Sequence, residues 1–136
     1  MYTSITKKRV RYGETDKMGY LYYGNYAQLY EIGRVEMLRD LGFPYVMMED
    51  QLKVMLPVVS VEAKFLKPAY YDEELEIQTS LKEIPSKMIT IYSDIYNSKK
   101  ELIHKATVKL FFIDMETDKR ISAPAELVSK LEAYFE

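Results

Sequence analysis

The residues best suited to chemistry gather in one stretch, residues 12–41, where Asp16 sits in a polar loop with Gly13, Gly19 and Gly24 around it. A helical pattern begins close behind, near Tyr23 or Asn25, so a carboxylate stands near a helix N-terminus. The first N–H groups of a helix lack intrahelical acceptors and carry a partial positive charge, which polarises a carbonyl or holds an anion. A carboxylate beside them is a candidate nucleophile or general base. Asp16 also has a plainer use, because Asp in a loop before a helix caps it or forms an Asx turn. Asn25 divides the same way, between an N-cap and a side-chain amide that meets a substrate.

Composition narrows the chemistry further. The chain has no cysteine, which excludes disulfides, thiol nucleophiles and thiolate metal sites. Its single histidine, His104, cannot by itself build a zinc site, and on a strand it reads as structural. Net charge is −2 with acids and bases interspersed, so neither a nucleic-acid surface nor an anionic-membrane patch is expected. The dense cluster Lys7, Lys8, Arg9 and Arg11 is interleaved with Val10 and Tyr12 and reads as the polar face of an edge strand. No apolar run approaches the roughly 18 residues of a membrane span, and the first ten residues lack the apolar core of a signal peptide. A cytoplasmic protein of one domain over residues 1–136 is the expectation.

The elements that must position Asp16 follow from periodicity. Residues 4–12 read as a first strand. From Tyr26, apolar residues at Leu29, Tyr30, Gly33, Met37, Leu38 and Leu41 step by threes and fours, which predicts one long amphipathic helix of roughly 28 Å stopped by Gly42 and Pro44. Residues 44–51 fit either a turn of helix or a flap over a pocket. Alternation then predicts strands over 53–67, 75–82, 88–96 and 102–114, with a hairpin at Asn97–Lys100, and Pro124 opens a closing helix. On the last strand Leu102, Ala106, Val108, Leu110 and Phe112 are expected to point inward. One strand, a long helix and four strands in meander predict an α+β fold in which an antiparallel sheet curls around the helix. Such a sheet keeps an edge strand, so pairing with a second copy is expected.

With these residues in view, the sequence resembles the hotdog-fold acyl-CoA thioesterases, of the 4-hydroxybenzoyl-CoA thioesterase and Tol-Pal-associated types. The resemblance rests on RYGETDKMGYLYYGNYAQLYEIGRVEMLR, with Asp16, Gly19, Tyr22, Asn25 and Tyr26 at the signature positions. It continues through Pro68 and Asp72 in VEAKFLKPAYYDEELEI and through ATVKLFFIDMETDKRISAPAEL. It implies a curved antiparallel sheet around one central helix, a homodimer or homotetramer, no cofactor, and hydrolysis of acyl-CoA to free acid and CoA.

The same resemblance implies roles for single residues. Asp16 would attack the thioester or activate water, with the backbone N–H groups around Tyr23 and Gly24 against the carbonyl, and Tyr12 matches a tyrosine of the Tol-Pal-associated pattern. Tyr23 departs from that pattern, which usually has histidine there. A phenol is a poor general base at neutral pH but donates hydrogen bonds or orients a substrate. Catalytic candidates are therefore Asp16 and Tyr23, and substrate-binding candidates Tyr12, Gly24 and Asn25. Lys87 and Lys99, in or near loops after meander strands, are within the class of residues that could meet CoA phosphates, though among nineteen Lys and Arg the sequence singles out neither. Rival readings are an acyl-carrier-protein thioesterase and a non-catalytic acyl-CoA binding module.

Overall fold

The expected helical stripe is buried along helix α1 (Tyr26–Asp40), where Tyr26, Leu29, Tyr30, Gly33, Met37 and Leu38 all face away from solvent, while Leu41, past the helix end, is only half-buried. The computed structural model describes residues 1–135. In it the helix is shorter than the periodicity suggests, fifteen residues or about 22 Å, because Tyr23–Asn25 forms a tight 3-10 turn ahead of it. Gly42, at φ 83°, takes the left-handed conformation that ends the helix.

Before α1 lies strand β1 (Tyr2–Arg9), and after it come a short helix α2 (Tyr45–Asp50) and strands β2 (Val54–Met55), β3 (Val58–Phe65), β4 (Glu74–Leu81), β5 (Met88–Tyr96), β6 (Leu102–Asp114) and β7 (Arg120–Ile121). Helix α3 (Ala125–Leu131) closes the described chain behind Pro124. All strand pairings are antiparallel, in the order β1-β4-β5-β6-β2, with β3 and β7 also on β6. The sheet wraps α1, which packs on β1, β4 and β5. This is the α+β hotdog architecture.

Two expectations need correction. The four strands do not form a simple meander, because β3 pairs with β6 and β1 takes the place beside β4. The connection through residues 66–73 is too long for a tight hairpin, and its backbone is engaged elsewhere: Ala69 O accepts from Leu21 N, and Asp72 N donates to Val10 O. The second correction concerns β6. Ile95 is opposite His104 and Tyr96 opposite Leu102, so Ile103 is an extra residue that breaks the alternation. Ile103 and His104 are both buried, whereas Leu102 is only half-buried.

The helix and sheet approach closely at Gly33. A Cβ there would lie 2.2 Å from Thr79 Oγ1 and 3.0 Å from Ile77 Cγ2, so only glycine lets α1 settle onto β4. That contact offsets the roughly 1 kcal/mol that glycine costs within a helix. Met37 and Leu38, essentially without exposure, anchor the C-terminal half of α1, each contributing about 1.5–3 kcal/mol by burial.

Candidate active site

Asp16 is held by its own loop. Its Oδ1 accepts from Met18 N at 2.9 Å and Tyr20 N at 3.2 Å, and its backbone N–H donates to Tyr20 O at 2.8 Å. The Asx turn expected of such a residue is therefore present, and Gly19 at φ 84° completes the reversal. One carboxylate oxygen is consumed in this way. Oδ2 has no hydrogen-bond partner among the described residues, so the side chain both shapes the loop and keeps an oxygen for other work.

Asp16 lines a cavity of about 340 Å³ together with Met18, Tyr23, Tyr26, Phe65, Leu66, Lys67 and Pro68. Its size falls within the range of small-molecule sites, and its walls are mostly apolar with one carboxylate. Two distant segments build it. Tyr20 bridges to Tyr70, and Leu21 N donates to Ala69 O at 2.8 Å, which draws the Asp16 loop against the end of β3. A larger depression of about 540 Å³ lies on the outer sheet face among Glu62, Lys64, Tyr92, Asp94 and Lys105. Its walls mix charged strand side chains with Met1, Ala63 and Ala106, its Lys105–Asp94 ion pair is already satisfied at 3.0 Å, and no helix start among the described residues lines it to serve as an oxyanion site.

The start of the helix borders the Asp16 cavity. Asn25 N donates to Tyr22 O, while the N–H groups of Tyr23 and Gly24 have no backbone acceptor among the described residues. A Cβ on Gly24 would come within 2.6 Å of the Tyr22 ring, so glycine lets that ring lie over the turn. Tyr23 lines the cavity and is 69% exposed. Asn25 is no N-cap by side chain: its Nδ2 donates to Glu14 O at 2.8 Å and ties the helix start to the preceding turn. Tyr12 stays outside the cavity, 80% exposed and edge-on to Tyr71 at 5.7 Å.

Beneath the cavity lies an aromatic floor that no local pattern announces. Tyr26 stacks on His104 at 4.2 Å between centroids, and Phe65 meets the same ring edge-on at 4.6 Å. Burial pushes the Tyr26 phenol up, with a smaller contribution from the charge of Glu73. It also pushes Tyr30 up to about 12 and His104 down to about 4. His104 is thus neutral at physiological pH and cannot serve the cavity as an acid. Phe65, Leu66, Lys67 and Pro68 escape sequence reasoning because they form the end of an ordinary strand and the turn after it, and nothing local marks them as walls for Asp16.

The thioesterase-like superfamily model matches residues 10–131. The chain belongs to that superfamily. Among curated relatives, "Putative acyl-CoA thioesterase YneP" of Bacillus subtilis is 38% identical over 89% of this chain and 87% of its own length. Acyl-CoA thioester hydrolase YbgC of Escherichia coli O157:H7 is 29% identical over 90% of each. Among solved structures, a DHNA-CoA thioesterase from Staphylococcus aureus superposes with a TM-score of 0.85 at 33% identity, covering 99% of this chain and 85% of that one. The hotdog fold and the enzyme class, a thioester hydrolase, are those that the sequence led us to expect.

Proposed function

We propose that the protein hydrolyses acyl-CoA thioesters in the Asp16 cavity. The observation that carries this reading is that Asp16, which keeps one carboxylate oxygen unpartnered, and Tyr23, which opens a helix start where two N–H groups lack backbone acceptors, line one mostly apolar cavity. The thioester carbonyl lies against Tyr23 N–H and Gly24 N–H, which stabilise the negative charge that builds on its oxygen. Asp16 supplies the attacking electron pair, directly or through a water it deprotonates. The C–S bond breaks, CoA leaves as a thiolate that takes a proton from solvent, and water completes the free acid. One preorganised donor site is worth a few kcal/mol, and with a good leaving group no histidine or serine is needed. Tyr23 contributes its backbone and orients the acyl group, and Asn25 keeps the donor turn in place.

The reading includes a cytoplasmic homodimer, or two such dimers together. All eight residues of β3 are exposed although one edge of the strand is paired to β6, and Val58, Val59, Val61 and Phe65 are each more than 40% exposed. An unpaired edge bearing this much apolar surface suits antiparallel pairing with a second β3. Phe65 ends that strand and Leu66 follows it, both lining the cavity, so a second copy there would border the Asp16 site.

Thiol release from short, medium, long and aromatic acyl-CoAs, run beside Asp16→Asn, tests the proposal. Turnover that falls by orders of magnitude in the variant is the expected result. Ester binding without turnover would replace it with the binding-module reading.

A further inference from the structure

In the basic cluster at the end of β1, one side chain is turned inward. Lys7, Arg9 and Arg11 are exposed, whereas Lys8 continues the inward positions Tyr2, Ser4 and Thr6, and its side chain is only 19% exposed. An ammonium drawn this far from water needs acceptors. Its Nζ has two, donating to Arg9 O at 2.7 Å and to Glu14 Oε1 at 2.8 Å, and the Glu14 side chain is withdrawn from solvent to the same extent.

Glu14 holds more than this lysine. Its Oε1 also accepts from Arg11 N at 2.7 Å, and its own N–H donates to Arg11 O at 3.0 Å, so the tight turn Tyr12–Glu14 is closed from both sides. Burial pushes the Glu14 carboxyl up, but the hydrogen bonds from Lys8 and Arg11 N outweigh it and hold the group below its usual range. The peptide oxygen of the same residue accepts from Tyr22 N at 2.9 Å and from Asn25 Nδ2 at 2.8 Å. A carbonyl oxygen has two lone pairs, and here both serve the start of the helix. Asp16 follows two residues later.

Glu14 therefore ties strand β1, through its carboxylate, to both halves of the site: the Asp16 loop that continues from it and the Tyr23–Gly24 turn that its carbonyl holds. Catalysis is sensitive to misplacements of about 1 Å, and groups referenced to a rigid strand keep their places better than groups on a loop alone. We propose that the Lys8–Glu14 pair is a positioning device for the thioester site, setting the span between the Asp16 carboxylate and the N–H groups of the helix start. The inference rests on the acyl-CoA reading above and adds to it two residues that do not line the cavity.

The test is a cycle of variants in steady-state kinetics: Lys8→Met, Glu14→Gln and the two together, with Lys7→Met as the control for loss of charge on the same strand. Lys7 faces outward, 3.8 Å from Glu74 in an exposed pair. Each single variant should lower kcat by about tenfold while KM stays close to wild type, because the cavity walls are untouched. The double variant should lose no more than the worse single, since the pair acts as one unit. Lys8→Arg, which keeps the charge, should recover most of the rate. Thermal melts that fall with kcat unchanged, additive losses, or an equal loss in Lys7→Met would overturn the assignment. Amide hydrogen exchange separates this proposal from the reading beneath it. In Lys8→Met and Glu14→Gln the Tyr22 N–H should exchange about tenfold faster, while Ile91, buried in the middle of β5, keeps its protection. If wild type hydrolyses no acyl-CoA, the hydrolase is removed, and faster exchange at Tyr22 still upholds the pair as what fixes the helix start. Unchanged exchange at Tyr22 removes the device whatever the kinetics.

Discussion

The Tyr30 hydroxyl lies 2.5 Å from His104 Nε2, joining the middle of α1 to the bulged end of β6 beneath the Asp16 cavity. Tyr26 and Phe65 pack on the same imidazole, so a cavity wall rests on a buried polar pair. Nδ1 has no partner among the described residues. With the phenol donating, Nε2 accepts, and the ring stays neutral because protonation would bury a charge without a counter-ion.

This neutrality makes stability depend on pH in a definite direction. The folded-state pKa of about 4 lies below the unfolded value near 6.5, so between these limits the unfolded chain binds the extra proton. Stability from this group is complete above the unfolded pKa, and declines as pH falls toward 4, by about 3 kcal/mol in all. Urea midpoints measured between pH 7 and pH 4.5 should drop more steeply in wild type than in His104→Gln, which cannot titrate. Parallel slopes would show that His104 ionises in the fold without penalty.

Gly33 leads to a prediction about packing. Gly33→Ala gains about 1 kcal/mol of helix propensity but forces a methyl to within 2.2 Å of Thr79 Oγ1, an overlap costing about 1–3 kcal/mol or more. Net destabilisation by about 1–2 kcal/mol is expected. Thr79 Oγ1 has no hydrogen-bond partner among the described residues, so Thr79→Ala removes the obstacle without breaking a bond. In thermal melts the double variant should be more stable than Gly33→Ala alone, and additive losses would mean the helix shifts instead.

Much of this fold is legible in the sequence because half-buried elements carry their period openly. Leu75, Ile77, Thr79 and Leu81 alternate as a strand and are all buried, and the stripe from Tyr26 to Leu38 covers the inner face of α1. Asp16 is legible as chemistry for a similar reason, since a carboxylate among glycines before a helix is a local pattern. Non-local facts are not written this way. Alternation in β3 marks a strand but not its neighbour, and the extra residue in β6 turns Ile103 inward beside His104 with no signal in the string of residues. Asn25 shows the same limit: its type suggests a cap, and only the fold presents Glu14 O as the better acceptor.

The two uses of Asp16 are separable by substitution. Asn keeps an oxygen that can accept from Met18 N and Tyr20 N, so Asp16→Asn should hold stability within ~0.5 kcal/mol while kcat falls by about 10²–10⁴. Asp16→Ala loses the loop bonds too, and should cost a further ~1–2 kcal/mol of stability. Tyr23→Phe retains the backbone donor and should leave kcat within about tenfold of wild type, since a phenol is a poor base at neutral pH. Steady-state kinetics beside denaturation curves decide the matter. A Tyr23→Phe loss as deep as that of Asp16→Asn would make the phenol part of the chemistry.

Strand β3 supplies the test of assembly. Val59 and Val61 are 44% and 49% exposed on a strand whose second edge pairs with no strand among the described residues. In a two-fold antiparallel pairing each substitution appears twice across the seam, so Val59→Glu with Val61→Glu sets like charges against one another. Neither side chain belongs to the core, and the isolated fold should persist by circular dichroism. Sedimentation velocity should then report a monomer, and turnover should fall by about tenfold or more because Phe65 and Leu66 are left bordering an open cavity. A variant that remains dimeric would move the interface to another surface, and one that becomes monomeric with full turnover would mean that the Asp16 site is complete within one chain.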